Sequence, residues 1–129
     1  MELVEYFKNV KGHGVLATAD STGKVDAAVY ARPHFMDKET IAFIMPDRLT
    51  HHNLQSNPHA AYLFIETGEK LSGKRLFLTK IKEEKDTAQL YEIRRKSYGD
   101  DREGLYLVFF KIDKVLPLIG TEDEGRKEL

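Results

Sequence analysis

Between Gly12 and Glu66 the apolar residues fall into short blocks separated by turn-forming residues. The blocks are Val15–Ala19, Val25–Ala31, Thr40–Met45 and Ala60–Ile65. Each is too short for a buried helix and rich in small, β-branched or aromatic side chains, so this half of the chain is committed to β-strands. Asp20, Ser21, Thr22 and Gly23 lie between the first two blocks and supply turn-forming side chains and a site for positive φ, which predicts a hairpin. Pro33 cannot donate to a ladder, so it ends the second strand or lies at an edge. Pro46 and Asp47 close the third block, and Asn57-Pro58 ends a short helical segment before the fourth.

The second half continues in the same way. Lys74–Lys82 alternates, with Leu76 and Leu78 on one face and Arg75, Phe77, Thr79 and Ile81 on the other. Leu105–Ile112 reads as a long strand, and Val115–Ile119, interrupted by Pro117, as a last one. Three short helices are expected. Residues 2–11 place Leu3, Phe7 and Val10 at helical spacing and form a plug for one end of the core. Residues 51–56 follow a Thr50 cap, with Asn53 at the third position, and a third helix starts at Asp86, with Gln89 at the capping-box position, and stops near Gly99. Six to seven strands with short connections and three short helices predict a mainly β, antiparallel barrel.

The chain has 129 residues, 41% hydrophobic and 32% charged, which suits a single folded domain over residues 1–129 with a charged tail at about 120–129. Its 20 basic and 21 acidic residues nearly cancel, so no basic face is available for a nucleic-acid backbone. It contains no cysteine, which excludes disulfides, thiolate metal sites and a cysteine nucleophile. The first residues carry acidic groups where a signal peptide needs basic ones, and no apolar run approaches the ~18 residues of a membrane span. A cytoplasmic protein with no membrane partner is expected.

The strongest chemical signal is Arg48-Leu49-Thr50-His51-His52-Asn53. The first turn of a helix presents unpaired backbone N–H groups and the positive end of the helix dipole, which together bind anions. Arg48 adds a cationic fork suited to phosphate, Thr50 a hydroxyl and His51 a ring N–H. The residues alone equally allow a plain surface helix with solvated basic side chains. His51 and His52 point about 100° apart on a helix and rarely share one ion, so no metal site is expected. Tyr30, Arg32 and His34 flank the edge proline. There a planar cation beside exposed backbone could line an aromatic ligand or simply face solvent. Glu83, Glu84, Lys85 and Asp86 read as a solvated charge run. No nucleophile with its base, P-loop or dinucleotide fingerprint is present, and no catalytic residue is assigned.

Taken together, the hairpin from Gly14-Val15-Leu16-Ala17-Thr18 to Ala31-Arg32-Pro33, the strand Ile41–Met45 and the helix ending Leu54-Gln55-Ser56-Asn57-Pro58 resemble the pyridoxamine 5′-phosphate oxidase-like, FMN-binding split-barrel family, especially its small single-domain bacterial members. The resemblance implies a homodimer of split barrels with FMN in a cleft at the subunit interface. It implies a phosphate site at Arg48, Leu49, Thr50 and His51, with His52 and Asn53 as weaker members. The flavin ring would lie along Tyr30, Ala31, Arg32 and Pro33, close to Phe43 and Ile44. The expected activity is an FMN-dependent oxidoreductase using a small electron donor or acceptor. Alternatives are a non-enzymatic FMN carrier or sensor, and a flavin-free haem- or ligand-binding module. Arg48-Leu49-Thr50 replaces the Ser-Arg-Lys run often found in the vitamin B6 oxidases. The acidic-leaning tail also lacks their basic C-terminal segment, so B6 oxidase activity is not expected.

Overall fold

The computed structural model describes residues 2–97 and 104–121. The elements are α1 (Leu3–Asn9), β1 (Gly12–Ala19), β2 (Val25–Val29), β3 (His34–Phe35), β4 (Thr40–Pro46), α2 (Leu49–Ser56), β5 (His59–Glu66), β6 (Gly73–Lys85), α3 (Ala88–Ser97) and β7 (Leu105–Pro117). The seven strands form one antiparallel sheet in the order β2-β1-β5-β6-β7-β4-β3. β2 and β3 are its two ends. The sheet curls until these ends approach: Tyr30, just past β2, packs edge-on against Phe43 of β4 at 5.9 Å between ring centroids, although the two strands share no ladder.

Inside the curl lies a core built on Leu16, Ile41, Phe43, Met45, Tyr62, Phe64, Leu76, Leu78, Val108 and Phe110. α1 closes one end of it as expected. Phe7 sits 5.0 Å from Phe64 and 5.9 Å from Phe35, ring centre to ring centre. Tyr6 joins it in the core, while Leu3 and Val10 pack only partly. A second cluster lies on the outer face of β4 and β7, where Ala42, Leu105, Leu107 and Phe109 meet Leu90 of α3. Two-sided burial explains why β4 and the first half of β7 read as continuous apolar runs rather than alternating ones.

The hairpin turn forms as the sequence suggests. Asp20 Oδ1 accepts from the backbone N–H of Thr22 and Lys24 and from the Thr22 hydroxyl, and Gly23 takes φ +92°. Four expectations shift. β2 ends at Val29, and its β-branched face is solvent-facing, with Val25 83% and Val29 80% exposed. The last two predicted strands are one strand through Pro117, which the edge proline terminates. The third helix is capped by Thr87, whose hydroxyl accepts from Leu90 N–H, while Asp86 turns back to accept from Gly104 and Leu105 N–H. Finally, β6 runs on to Lys85, because irregularities between Phe77 and Leu78 and between Lys80 and Lys82 bend it and reset its alternation. The expected stop near Gly99 and most of the charged tail lie outside the described residues.

Candidate functional site

The gap between β2 and the β4–β7 side of the curled sheet forms a cleft of about 400 Å³. Its walls are Asp26, Ala28, Val29, Tyr30 and Ala31 on the β2 side and Ile44, Pro46 and Leu105 on the β4–β7 side. α2 starts at its floor and contributes Arg48, Leu49 and Thr50, and Arg94 of α3 completes the lining. Arg48 occupies the N-cap position in an extended conformation and makes no side-chain cap bond. The first-turn amides of α2, which have no partner within a helix, therefore begin at the cleft without a capping oxygen. Two arginines and a helix N-terminus thus converge on a lining that is otherwise mostly apolar, a composition suited to a planar apolar ligand with an anionic end. Asp26 is the one acidic group among the described residues of the lining. Its Oδ2 accepts from the Thr50 hydroxyl at 3.3 Å, so that hydroxyl proton is committed within the protein.

His51 lies one residue further into α2 and is 5% exposed. Its Nδ1 is 3.2 Å from Asp47 Oδ1 and its Nε2 is 3.0 Å from Glu83 Oε2. Its ring stacks on Tyr106 of β7, with centroids 3.8 Å apart and planes 23° from parallel. Glu83 is further held by Lys80 Nζ at 2.7 Å and by Gln55 Nε2 at 3.0 Å. Burial opposes ionisation of Glu83, but hydrogen bonds from Gln55, Lys80 and His51 outweigh it and hold the carboxyl down to about 2.

The structure brings Tyr30, Ala31, Ile44, Arg48, Leu49 and Thr50 to the cleft. The other sequence-predicted residues lie elsewhere. Phe43 is in the core beneath Tyr30. Arg32 donates to the carbonyl oxygens of Phe7 at 3.0 Å and Val10 at 3.4 Å, tying α1 to the segment after β2. Pro33 lines a separate shallow groove with Val4, Phe7, His34 and Met36. His51 is enclosed by its own network, His52 is exposed, and Asn53 donates to the Thr18 hydroxyl of β1 at 3.1 Å. Thr50 is the second residue of α2 rather than its cap, because the helix begins two residues earlier than expected, at Leu49.

Sequence reading missed Arg94, Asp26 and Glu83. Arg94 is 4% exposed, with its guanidinium 5.5 Å from the Tyr91 ring centre. The available signal was its spacing: Leu90 and Arg94 are four apart and share one helix face, and Leu90 is fully buried. Asp26 follows from the alternation of β2, whose even-numbered residues turn inward. Glu83 had no local signal, since it lies in the mixed charge run beyond the irregularities of β6. Among the described residues no group of three or more His, Cys, Asp or Glu is arranged to hold a metal ion, and no helix is long and apolar enough to cross a membrane.

No family model and no curated protein matches the chain. Solved structures do. An FMN-binding protein from Syntrophomonas wolfei subsp. wolfei superposes with a TM-score of 0.78 at 17% identity, covering 92% of this chain and 85% of that one. A Lactobacillus delbrueckii protein named provisionally as a pyridoxamine 5′-phosphate oxidase gives 0.67 at 17% identity, covering 89% and 90%. The haem-storage protein HutZ of Vibrio cholerae gives 0.62 at 18% identity, covering 89% and 91%. At these identities the likeness is one of fold. The chain therefore shares the split-barrel fold of these proteins.

Proposed function

We propose that the cleft binds FMN and that the protein is an FMN-dependent oxidoreductase acting with a small-molecule electron donor or acceptor, as a cytoplasmic homodimer. The observation that carries this reading is the convergence of Arg48, Arg94 and the uncapped first turn of α2 on one mostly apolar cleft. A phosphate would be held by Arg48 and by the Leu49 and Thr50 amides rather than by the Thr50 hydroxyl, which serves Asp26. Tyr30, Ala31 and Ile44 line the walls between which a flat ring would lie. FMN, when bound, supplies hydride or electron transfer. The protein's part is to anchor the anionic end, present the ring and exclude water. The FMN-binding neighbour supports the same ligand class.

A flavin-free module holding haem is the reading that the Vibrio neighbour supports. Against it, no histidine is among the cleft residues described. A carrier or sensor of FMN shares every feature of the site and differs only in turnover. Purified protein should bind added FMN, with quenching of flavin fluorescence, and should show flavin bands rather than a haem Soret band. Arg48→Ala should weaken FMN about tenfold or more, the range of a lost charged hydrogen bond, and leave riboflavin nearly unchanged. Failure to bind FMN, or equal losses for both flavins, defeats the reading. Steady oxidation of NAD(P)H by the loaded protein would separate an enzyme from a carrier.

A further inference from the structure

α2 has eight residues and is too short to be stable by itself. A helix of this kind usually lays an apolar face on the core. Here the buried residues are Thr50, His51, Asn53 and Leu54, so three of the four are polar. The helix is held by directed bonds. Asn53 reaches Thr18 on β1, and Thr50 reaches Asp26 on β2. The largest of these networks is the one around His51. Both ring nitrogens face a carboxylate, Asp47 on one side and Glu83 on the other, and Tyr106 closes the flat face of the ring. The charged neighbours from the packed elements are Lys80 of β6, on Glu83, and Lys85 of β6, 5.5 Å from the Tyr106 ring. Lys80 also reaches the Leu54 carbonyl at 3.5 Å, so β6 grips α2 near both ends.

We propose that His51 is a positioning residue: the Asp47–His51–Glu83 bridge fixes the pitch of the first turn of α2 and so sets how strongly the cleft holds an anionic group. The proposal rests on the anion-binding reading of the cleft. It moves His51 from contacting the ligand to supporting the turn that does, and it gives Glu83, at the far end of the bridge, a share in affinity. The physical basis is that backbone N–H groups attract an anion strongly only when they are held in one direction. A helix fastened by few apolar contacts owes that direction to its polar bridges.

Wild type, Glu83→Ala, Glu83→Gln and His51→Phe are titrated with FMN and with riboflavin, and thermal unfolding is recorded for each. A merely structural loss weakens both flavins together. Loss of positioning narrows the preference for FMN, by about three- to tenfold in Glu83→Ala, within the range of helix-terminus charge effects. Glu83→Gln, whose amide oxygen can still accept from the ring, should recover most of the preference. His51→Phe keeps a ring on Tyr106 but no ring nitrogen, and should behave as Glu83→Ala does; it decides the comparison where Glu83→Ala does not fold. A wild type with no preference for FMN overturns the anion-binding reading and the proposal with it. A wild type that prefers FMN, with folded variants that keep the full preference, overturns the proposal alone.

Discussion

Tyr62 is fully buried, and its hydroxyl lies 3.1 Å from the Tyr30 carbonyl oxygen and 3.0 Å from that of Ala31. It pins from below the stretch of backbone that forms the cleft wall. Gly14 makes this possible: a Cβ there would lie 1.9 Å from the Tyr62 hydroxyl, so no side chain fits. The Gly14 carbonyl also accepts from Tyr30 N–H at 3.0 Å, which leaves the wall held from two directions. Tyr62→Phe should lower stability by about 1 kcal/mol, the net worth of a lost hydrogen bond. Gly14→Ala should cost about 1–3 kcal/mol through overpacking. Urea unfolding measures both, and unchanged midpoints would refute the pinning. At this scale the sequence was legible where a residue acts on near neighbours, as Asp20 does in its turn. It was not legible for Gly14 and Tyr62, which meet only when β1 pairs with β5.

Among the elements, β4 and the first half of β7 were the easiest to read, because burial on both faces leaves an unbroken apolar run, whereas the exposed second half of β7 was read as a separate strand. α2 was harder. The sequence marked its position and its basic start but not its first residue, since no side chain caps it and the start is set by its docking against β1, β2 and β4. The extension of β6 to Lys85 was missed because irregularities break strict alternation, and the charge run there turned out to carry the support of α2. That support has a pH signature. Glu83 is held at about 2 against an ordinary 4.5, so its contribution to stability is complete above about 4.5 and is lost as pH falls towards 2. Glu83→Gln should therefore flatten the acid side of the stability profile between those values. Parallel thermal-unfolding profiles for the two proteins across that window would show that the bridge carries no linked stability.

For the molecule as a whole, the unusual surface is β2. It is an end strand of the sheet, and Val25 and Val29 stand exposed on the face opposite Asp26 and Ala28. Leu49, at the cleft floor, is 55% exposed and adds to the apolar surface around the gap. An exposed apolar end strand invites pairing with another chain unless something covers it. A second copy covering Val29 and Leu49, both of which also line the cleft, would border its mouth, which ties the proposed homodimer to the proposed cofactor. A Val25→Lys, Val29→Lys double variant should sediment as the 14.8 kDa monomer while wild type sediments as a dimer, and FMN affinity should fall with dissociation. A wild type that is monomeric at all concentrations, or a double variant that stays dimeric, would refute this interface.

The sequence by itself determined the β-rich class, the hairpin, the two-sided burial of β4 and the place of the basic turn. Those are properties of residues within one turn or strand, and periodicity and turn chemistry report them directly. Only the tertiary structure decided which of the candidate residues meet. It joined Tyr30, Ala31 and Ile44 to Arg48 across the gap in the sheet, added Arg94 and Asp26, and placed Arg32 and His51 in supporting contacts and Pro33 in a separate groove. The physical reason is that curling the sheet brings its two ends together, and the direction of a side chain across that gap depends on strand register, bulges and helix docking, none of which a local pattern records.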